Sequence, residues 1–150
     1  MCSSDLFPAE PVDVAFSRWR TEERELAGGG LLINDAWNAN PVAMEAALRH
    51  LEERADGRRT VAVLGEMAEL GEQARVFHEE IGRAAQTVDI VIGVGELARS
   101  YEPREWAATA ADALPLVLDL VRPGDVVLVK GSRSIGLELV ADALAGASPT

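Results

Sequence analysis

Polar side chains follow a short apolar run near the start of the chain. The run at residues 31–33 leads into a loop at 34–40 that is rich in hydrogen-bond donors and acceptors, and Asn40 then precedes a proline and a segment with helical periodicity. Open α/β sheets bind their ligands beyond the carboxyl ends of strands, so this strand-loop-helix unit predicts a ligand site. A carboxylate such as that of Asp35 can accept both hydroxyls of a ribose there. Asn40 is more simply a helix cap.

A second candidate site is the segment Lys-Gly-Ser-Arg at residues 130–133. It lies between an apolar run and a predicted helix, so backbone N–H groups, a hydroxyl and two cations are expected to converge and to bind an anion. If Lys130 and Arg133 merely solvated a helix start, their charges would oppose the helix dipole. A charge-assisted contact of this kind contributes roughly 1.5 to 3 kcal/mol. The segment is not a Walker A loop, because GxxxxGK(S/T) occurs nowhere in the chain.

Other residues with chemical potential have competing interpretations. Glu66 and Glu69 follow the second apolar run, on the rim predicted for Asp35, and could approach a substrate amine or cap the next helix; the sequence leaves both roles open. His78 lies on a predicted helix beside acidic residues, where a lone histidine is more simply a surface or packing residue than a catalyst. The same holds for His50.

One glycine pattern superficially suits a dinucleotide. Residues 93–98 form a GxGxxA at a strand-to-helix turn, but the pattern lies in the middle of the chain, and the acid about 20 residues later, Asp112, falls at a predicted helix start rather than at a strand end. The sequence therefore favours a tight turn.

The elements that must position these residues alternate along the chain. Apolar runs of strand length lie at 31–33, 61–64, 88–92 and 126–129, and helices are predicted over 41–55, 72–86, 110–121 and 134–145. The runs are continuously apolar, as expected of strands covered on both faces. This pattern predicts an α/β fold with a doubly wound, mostly parallel sheet and helices on both faces. Pro115 should fit only the first turn of its helix, the glycines at 28–30 predict a turn, and residues 18–26 form either an edge strand or an incoming linker.

Composition bounds the class of protein. The chain has 150 residues, 48% of them hydrophobic, which suits one domain with a real core. Its formal charge of −11, without any basic run, predicts no nucleic-acid partner, and no apolar run approaches the roughly 20 residues that would predict membrane insertion. The single cysteine, Cys2, excludes an internal disulfide and fits a reducing cytoplasm. Residues 1–15 are interpreted as a disordered or foreign leader and 16–150 as the domain.

Four segments, in order, resemble signatures of the MurF group of the Mur ligase family. Residues 32–48 are similar to its NDxYNANPxSMxAAL, residues 65–71 to GDMxELG, residues 78–82 to HxEVG, and residues 124–133 to GDxVLVKGSR, with Glu138 in the position of the glutamate that follows. Two residues of the first segment depart from its pattern, since Trp37 stands where the family usually has tyrosine and Ala43 where serine is common.

The resemblance implies a Rossmann-like C-terminal domain of a ligase that joins D-alanyl-D-alanine to UDP-N-acetylmuramoyl-tripeptide in peptidoglycan biosynthesis. In the family, ATP phosphorylates the tripeptide carboxylate and the dipeptide amine attacks the acyl phosphate. The phosphate loop and the magnesium ligands belong to a central domain, and the UDP-binding part to an N-terminal one. The resemblance therefore implies ATP and Mg²⁺ as cofactors, with Mg²⁺ bound mainly outside this segment, and an isolated segment that is inactive.

The resemblance also assigns two sets of binding residues. The ATP set is Arg20, Asp35 and Asn38, in which Asp35 would bind the ribose and Arg20 would reach the phosphates from an interdomain hinge, with Arg18 as the competing arginine. The dipeptide set is Lys130, Ser132 and Arg133, which would bind the carboxylate of D-alanyl-D-alanine. Neither a catalytic residue nor a metal ligand is assigned to this segment.

Two alternatives remain open at the level of sequence. Related ligases, including the D-glutamate-adding and diamino-acid-adding enzymes and folylpolyglutamate synthetase, share the fold, although their motifs around the first loop differ. A stand-alone binding module without chemistry is favoured by the missing phosphate loop, whereas the four matched signatures favour a catalytic parent.

Overall fold

The computed structural model of the chain describes residues 22–36 and 39–146. The predicted leader, residues 1–15, lies outside them. The strands are β1 (Glu22–Leu26), β2 (Gly30–Asp35), β3 (Thr60–Gly65), β4 (Ile90–Val94), β5 (Glu105–Ala107) and β6 (Val126–Lys130). The α-helices are α1 (Pro41–Ala55), α2 (Ala74–Ala84), α3 (Ala110–Leu120) and α4 (Glu138–Gly146). Short 3-10 turns lie at Ala27–Gly29, Gly71–Gln73, Ala85–Thr87, Glu96–Tyr101 and Arg133–Ile135.

The strands form one six-stranded sheet in the order β1-β2-β6-β3-β4-β5. β1 runs antiparallel to β2, and the other neighbours pair in parallel. The predicted α/β fold with a doubly wound, mostly parallel sheet is therefore confirmed. Of the two interpretations of residues 18–26, the edge strand is correct for residues 22–26, and residues 18–21 lie outside the described part. The predicted glycine turn is also confirmed, with Gly28 and Gly29 both at positive φ.

Each face of the sheet carries its own hydrophobic core. One core packs α1 and α2 against the sheet, and its large side chains that are less than 2% exposed are Ile33, Met44, Leu51, Leu64, Met67, Ile81 and Leu128. The other packs α3 and α4 against the opposite face through smaller side chains, mainly valine and alanine. Because both faces are covered, the central strands are apolar throughout, which is the pattern that the sequence displays.

Helix α1 begins where the sequence predicts. The Asn40 side chain accepts a hydrogen bond from the Ala43 backbone N–H at 2.8 Å, and Pro41 occupies the first helical position. The predicted capping role of Asn40 is confirmed.

The boundaries of other elements differ from the sequence prediction. β4 begins at Ile90 rather than at residue 88, and the three-residue strand β5 was not predicted. Helix α4 begins at Glu138 rather than at residue 134, because Gly136 adopts φ of 75° and separates the helix from a 3-10 turn. A helix cannot pass through a left-handed residue, so the predicted start at 134 is wrong.

Pro115 was expected only in a first helical turn, but it lies in the second turn of α3. Proline lacks the N–H that would bond the carbonyl of Ala111. Both residues are exposed, so water can solvate that carbonyl and the helix tolerates the proline.

Candidate functional site

The carboxyl ends of β2, β6 and β3 meet at a topological switch point. β6 lies between β2 and β3 in the sheet although it follows both along the chain. After β2 and β3 the chain forms α1 and α2 on one face, whereas after β6 it forms α4 on the other face, against β1 and β2. Connections that leave adjacent strands in opposite directions open a crevice beyond the strand ends, where open α/β sheets bind ligands.

Asp35 and Lys130 form a buried ion pair at this edge. They are the last residues of β2 and β6 and are direct partners in the parallel register. The Lys130 Nζ atom lies 2.8 Å from Asp35 Oδ2, with the two side chains 2% and 13% exposed. Both side chains point to the α1 and α2 face, because they continue the alternation of Ile33 and Leu128 along their strands.

The pair joins one residue from each of the two binding sets that the sequence predicts. Asp35 was assigned to ATP and Lys130 to the dipeptide carboxylate. The structure places the Lys130 ammonium group directly on the Asp35 carboxylate, among core side chains. Both assignments stay predictions. Because the two charged groups are in contact, a ligand that binds one residue also affects the other.

Two glycines allow the ends of β3 and β6 to come close together. A Cβ atom on Gly131 would lie 2.9 Å from the Gly65 Cα and 2.9 Å from Leu137 Cδ1. A Cβ atom on Gly65 would lie 3.2 Å from the Gly131 Cα. Neither glycine has a positive φ, so the requirement here is space rather than backbone conformation.

Ser132 connects the loop after β6 to the loop after β3. Its backbone N–H donates to the Glu66 carbonyl at 3.1 Å, and its Oγ accepts from the Ala68 N–H at 2.6 Å. A serine hydroxyl that accepts one bond still carries a proton that it can donate. Ser132 is buried, so it both fixes the loop and retains a donor at the edge of the sheet.

Glu66 caps a turn in the structure. Its Oε2 accepts a 2.8 Å hydrogen bond from the Leu97 N–H at the start of the turn Glu96–Tyr101, and its side chain packs against Gly95. The turn that Glu66 caps follows β4, so Glu66 does not cap α2, the next helix. Gly95 has φ of 105° and leads directly into a 3-10 turn. The interpretation of the GxGxxA pattern as a tight turn is confirmed.

His78, a buried residue of α2, is hydrogen-bonded to the loop after β3. Its Nε2 accepts from the Met67 N–H at 2.9 Å, and its Nδ1 lies 2.6 Å from the Ala74 carbonyl. Because an amide can only donate and a carbonyl can only accept, the ring is neutral with its proton on Nδ1. Burial lowers the pKa of His78, although the bond to Ala74 and the charge of Glu66 oppose that shift. The predicted packing role is confirmed.

Tyr101 holds the same loop, although no motif in the sequence singled it out. Its buried hydroxyl donates to the Gly65 carbonyl at 2.9 Å, and its ring lies 5.2 Å from that of His78. Burial raises the pKa of the phenol, with a further contribution from the charge of Glu66. The contacts between Gly65 and Gly131 were also missed, although glycine directly after two buried apolar runs is a usable signal for a close approach of strands.

Arg133 lies exposed in the turn Arg133–Ile135, next to Ser132. The expectation that a helix N-terminus supplies N–H donors at this loop is wrong, because α4 begins only at Glu138. The N–H groups of Ile135 and Gly136 are already bonded within the turn. Helix α4 therefore offers no N–H donors at this place.

Four further predicted residues are Arg20, Asn38, Glu69 and His50. Arg20 and Asn38 lie outside the described residues, so their predicted contacts with ATP stay predictions. Glu69 is exposed in a turn with φ of 62°. His50 lies 2.6 Å from Glu23 on the surface, and it ties α1 to β1, in keeping with its predicted surface role. Hydrogen bonds from His50 and Arg54 lower the pKa of Glu23, although partial burial opposes them.

A groove of about 960 Å³ lies along α2 and the turn Glu96–Tyr101, and none of Asp35, Lys130, Ser132 or Arg133 lines it. Several of its charged side chains pair with one another, as Arg75 does with Glu79, so it presents no uniform charge to a ligand. Within residues 22–36 and 39–146, no group of three or more histidine, cysteine or carboxylate side chains is arranged to hold a metal ion. In the same part of the chain, no helix combines the length and apolar character needed to cross a bilayer.

The fold and the strand-end loops define an α/β domain with a candidate ligand site at the switch point of the sheet. A family model described as "Mur ligase, glutamate ligase domain" matches residues 19–133. The chain belongs to this family.

Two relatives with similar sequences are ligases of the same name. The UDP-N-acetylmuramoyl-tripeptide--D-alanyl-D-alanine ligase of Mycobacterium leprae is 40% identical over 87% of this chain and 30% of its own length. The enzyme of the same name from Escherichia coli K12 is 36% identical over 80% of this chain and 28% of its own length. This chain thus spans about 30% of the length of the curated relatives it matches.

A solved structure has the same architecture. The MurF ligase of Thermotoga maritima, crystallised in complex with ADP, superposes with a TM-score of 0.72 at 28% identity, over 87% of this chain and 30% of that one.

Proposed function

We propose that this chain is the C-terminal domain of an ATP-dependent ligase that joins D-alanyl-D-alanine to UDP-N-acetylmuramoyl-tripeptide. Family membership, the ligase names of the relatives and the MurF-like signatures at the strand ends support this proposal. The observation that carries it is the meeting of the two signature loops, through Asp35 and Lys130, at the switch point of the sheet. ATP and UDP-linked precursors are cytoplasmic metabolites, so we expect the reaction in the cytoplasm.

In this proposal the domain contributes to the nucleotide site through Asp35. The Asp35 carboxylate lies at the strand end, where a ribose diol could donate to it. The ADP named with the Thermotoga maritima structure supports a nucleotide for that relative. Asn38 and Arg20 complete the proposed ATP set, and a magnesium ion would be bound mainly by another part of the ligase.

The dipeptide carboxylate is proposed to bind at Ser132 and Arg133. An exposed guanidinium group beside a hydroxyl with a proton to donate suits a carboxylate, because Arg can form two parallel hydrogen bonds to it. That Lys130 joins this contact stays a prediction, and its position beside Asp35 favours a different role.

The chemistry of the proposed ligase explains why such a domain would be needed. An acyl phosphate hydrolyses if water reaches it, so a domain that closes over the nucleotide and the dipeptide protects the intermediate. Residues of this chain would bind and orient the two substrates, while the phosphate loop would be supplied elsewhere.

The nucleotide assignment is tested by Asp35→Ala in the complete ligase. Loss of a carboxylate that accepts ribose hydroxyls should raise the dissociation constant for ATP about tenfold or more. Asp119→Ala, which removes an exposed carboxylate from α3, is the matched control. Unchanged ATP affinity in Asp35→Ala would remove the ribose assignment.

The dipeptide assignment is tested by Arg133→Ala, with the exposed Arg83→Ala on α2 as control. The Michaelis constant for D-alanyl-D-alanine should rise by one or two powers of ten, which corresponds to roughly 1.5 to 3 kcal/mol, while that for ATP barely changes. The dipeptide amide lacks the carboxylate, so wild type should use it poorly and the variant should discriminate much less. Equal discrimination by both enzymes would place the carboxylate elsewhere.

A further inference from the structure

The ammonium group of Lys130 contacts Asp35, and the strand register and the burial of Lys130 hold it there. The two residues are register partners on adjacent strands, so their separation is set by the sheet and not by a flexible loop. The Lys130 stem is enclosed by the core on the α1 and α2 face, and only 2% of the side chain is exposed. Its Nζ atom lies 2.8 Å from Asp35 Oδ2.

A direct contact between Lys130 and a dipeptide carboxylate would have to be made at a side chain that is only 2% exposed. If Lys130 left the interior to make it, Asp35 would remain without the cation that compensates its partly buried charge. Arg133, in contrast, is exposed. The two cations of the loop therefore occupy different environments, although they lie three positions apart in the sequence.

A cation on one carboxylate oxygen also fixes the orientation of the carboxylate. The side chain of an aspartate rotates broadly about χ2 when nothing holds it. A ribose diol donates two hydrogen bonds, one to each carboxylate oxygen, and this requires one rotational setting of the carboxylate about χ2. If the carboxylate is already held in that setting, Asp35 loses less conformational freedom when the ribose binds. This reasoning rests on the nucleotide role proposed above for Asp35.

We propose that Lys130 is a positioning residue for the nucleotide site: it holds the Asp35 carboxylate for the ribose, and does not itself bind the dipeptide. The two substrates are thereby linked through one short segment, in which Lys130 serves the nucleotide from inside the fold and Arg133 serves the dipeptide from its surface. The ion pair thus connects the residue proposed to bind the ribose with the segment proposed to bind the dipeptide.

The test uses the complete ligase and two nucleotides, ATP and 2′,3′-dideoxy-ATP, which lacks the ribose diol. Wild type should prefer ATP tenfold or more. Lys130→Met, which keeps the length of the side chain but removes its charge, should lose most of that preference, and its Michaelis constant for D-alanyl-D-alanine should change less than threefold. A merely structural role would alter thermal stability without altering the preference for the diol.

The double variant Asp35→Ala, Lys130→Met shows whether the residues act as a unit. Its preference for ATP should equal that of Asp35→Ala alone, because the lysine acts only through the carboxylate. If Lys130→Met keeps the wild-type preference while Asp35→Ala loses it, the positioning role is wrong and the ribose assignment stands. If Asp35→Ala also keeps it, the nucleotide role of Asp35 fails.

A variant without a buried unpaired charge covers the case in which Lys130→Met does not fold. Asp35→Asn, Lys130→Met replaces the pair with uncharged side chains of similar shape, a change that is often tolerated. Compared with wild type at saturating ATP, it should show the same Michaelis constant for D-alanyl-D-alanine. A tenfold increase would identify Lys130 as a direct ligand of the dipeptide and would overturn the proposal.

Discussion

At the scale of single residues, His78 stabilises the loop after β3 only while its ring is neutral. Nε2 accepts the Met67 N–H, and a proton on that nitrogen would abolish the bond. Burial lowers the pKa of the folded-state ring below its ordinary value of 6.5. As the pH falls below about 6.5, the unfolded chain takes up a proton that the folded chain refuses, so the free energy of unfolding decreases.

We expect His78→Gln to flatten this pH dependence. The glutamine amide oxygen can accept the Met67 N–H but does not titrate between pH 5 and 7. Between pH 6.5 and the lowered folded-state pKa, the free energy of unfolding of wild type should therefore fall more steeply than that of the variant, by up to about 1.4 kcal/mol per pH unit. Urea unfolding at half-unit pH intervals measures the two slopes. Equal slopes would contradict the neutral, buried ring.

The positions of Asp35 and Lys130 at the ends of strands could be predicted from the sequence, but their pairing could not. Asp35 and Lys130 stand at the ends of two apolar runs, which marks both as residues at a sheet edge. Their contact depends on β6 inserting between β2 and β3, and the order of non-consecutive strands is set by packing of the whole sheet. Opposite charges at the last positions of two buried strands were the available signal.

At the scale of elements, the approach of β3 and β6 depends on the absence of side chains at Gly65 and Gly131. An alanine at 131 would place its Cβ 2.9 Å from the Gly65 Cα, which is backbone and cannot rotate away. The loops that carry Glu66 and Ser132 begin at these glycines, so the spacing of the strands also sets the spacing of the loops.

We expect Gly131→Ala to destabilise the domain by about 1 to 3 kcal/mol through overpacking, partly offset by the lower conformational entropy of the unfolded alanine chain. Gly146→Ala is the matched control, because nothing lies within 4 Å of the added methyl group and the residue is helical. The control should be neutral or slightly stabilised. Denaturant unfolding of both variants gives the difference, and two equal midpoints would disprove the close approach.

The bounds of elements were predicted well from the sequence where burial of apolar residues determined them. They were predicted poorly where the backbone conformation of a single residue determined them. Continuous apolar runs located β2, β3 and β6 to within two residues. The start of α4 was missed because Gly136 takes a left-handed conformation inside a segment whose side chains have helical periodicity. β5 was missed because three residues are too few for a periodic signal.

At the scale of the whole molecule, the amino ends and the carboxyl ends of the parallel strands carry different kinds of polar contact. Near the amino ends of the parallel strands, Arg59 makes a bidentate ion pair with buried Asp125, a contact that raises the pKa of the guanidinium group. There too, Thr60 and Asp89 bond each other through both backbone and side chain. The polar groups at this end are hydrogen-bonded to one another, so we assign them a role in stability. The carboxyl ends of the strands carry the signature loops and the residues proposed to bind the substrates.

The final prediction is that the 150-residue chain folds by itself but ligates nothing. Two cores, one on each face of a six-stranded sheet, are sufficient for a cooperative domain. Far-ultraviolet and near-ultraviolet circular dichroism should therefore report one coincident thermal transition. Catalysis should be absent because the chain contains no GxxxxGK(S/T) loop to bind the transferred phosphates.

The assay for that prediction mixes the purified chain with ATP, Mg²⁺, UDP-N-acetylmuramoyl-tripeptide and D-alanyl-D-alanine and measures phosphate release. Release should equal that of a sample without protein, whereas the complete ligase should release phosphate only when both peptide substrates are present. Ligation by the chain alone would mean that the phosphates are bound by residues of this domain. Non-coincident transitions would mean instead that the carboxyl edge, with its loops after β3 and β6, folds only against the rest of the ligase.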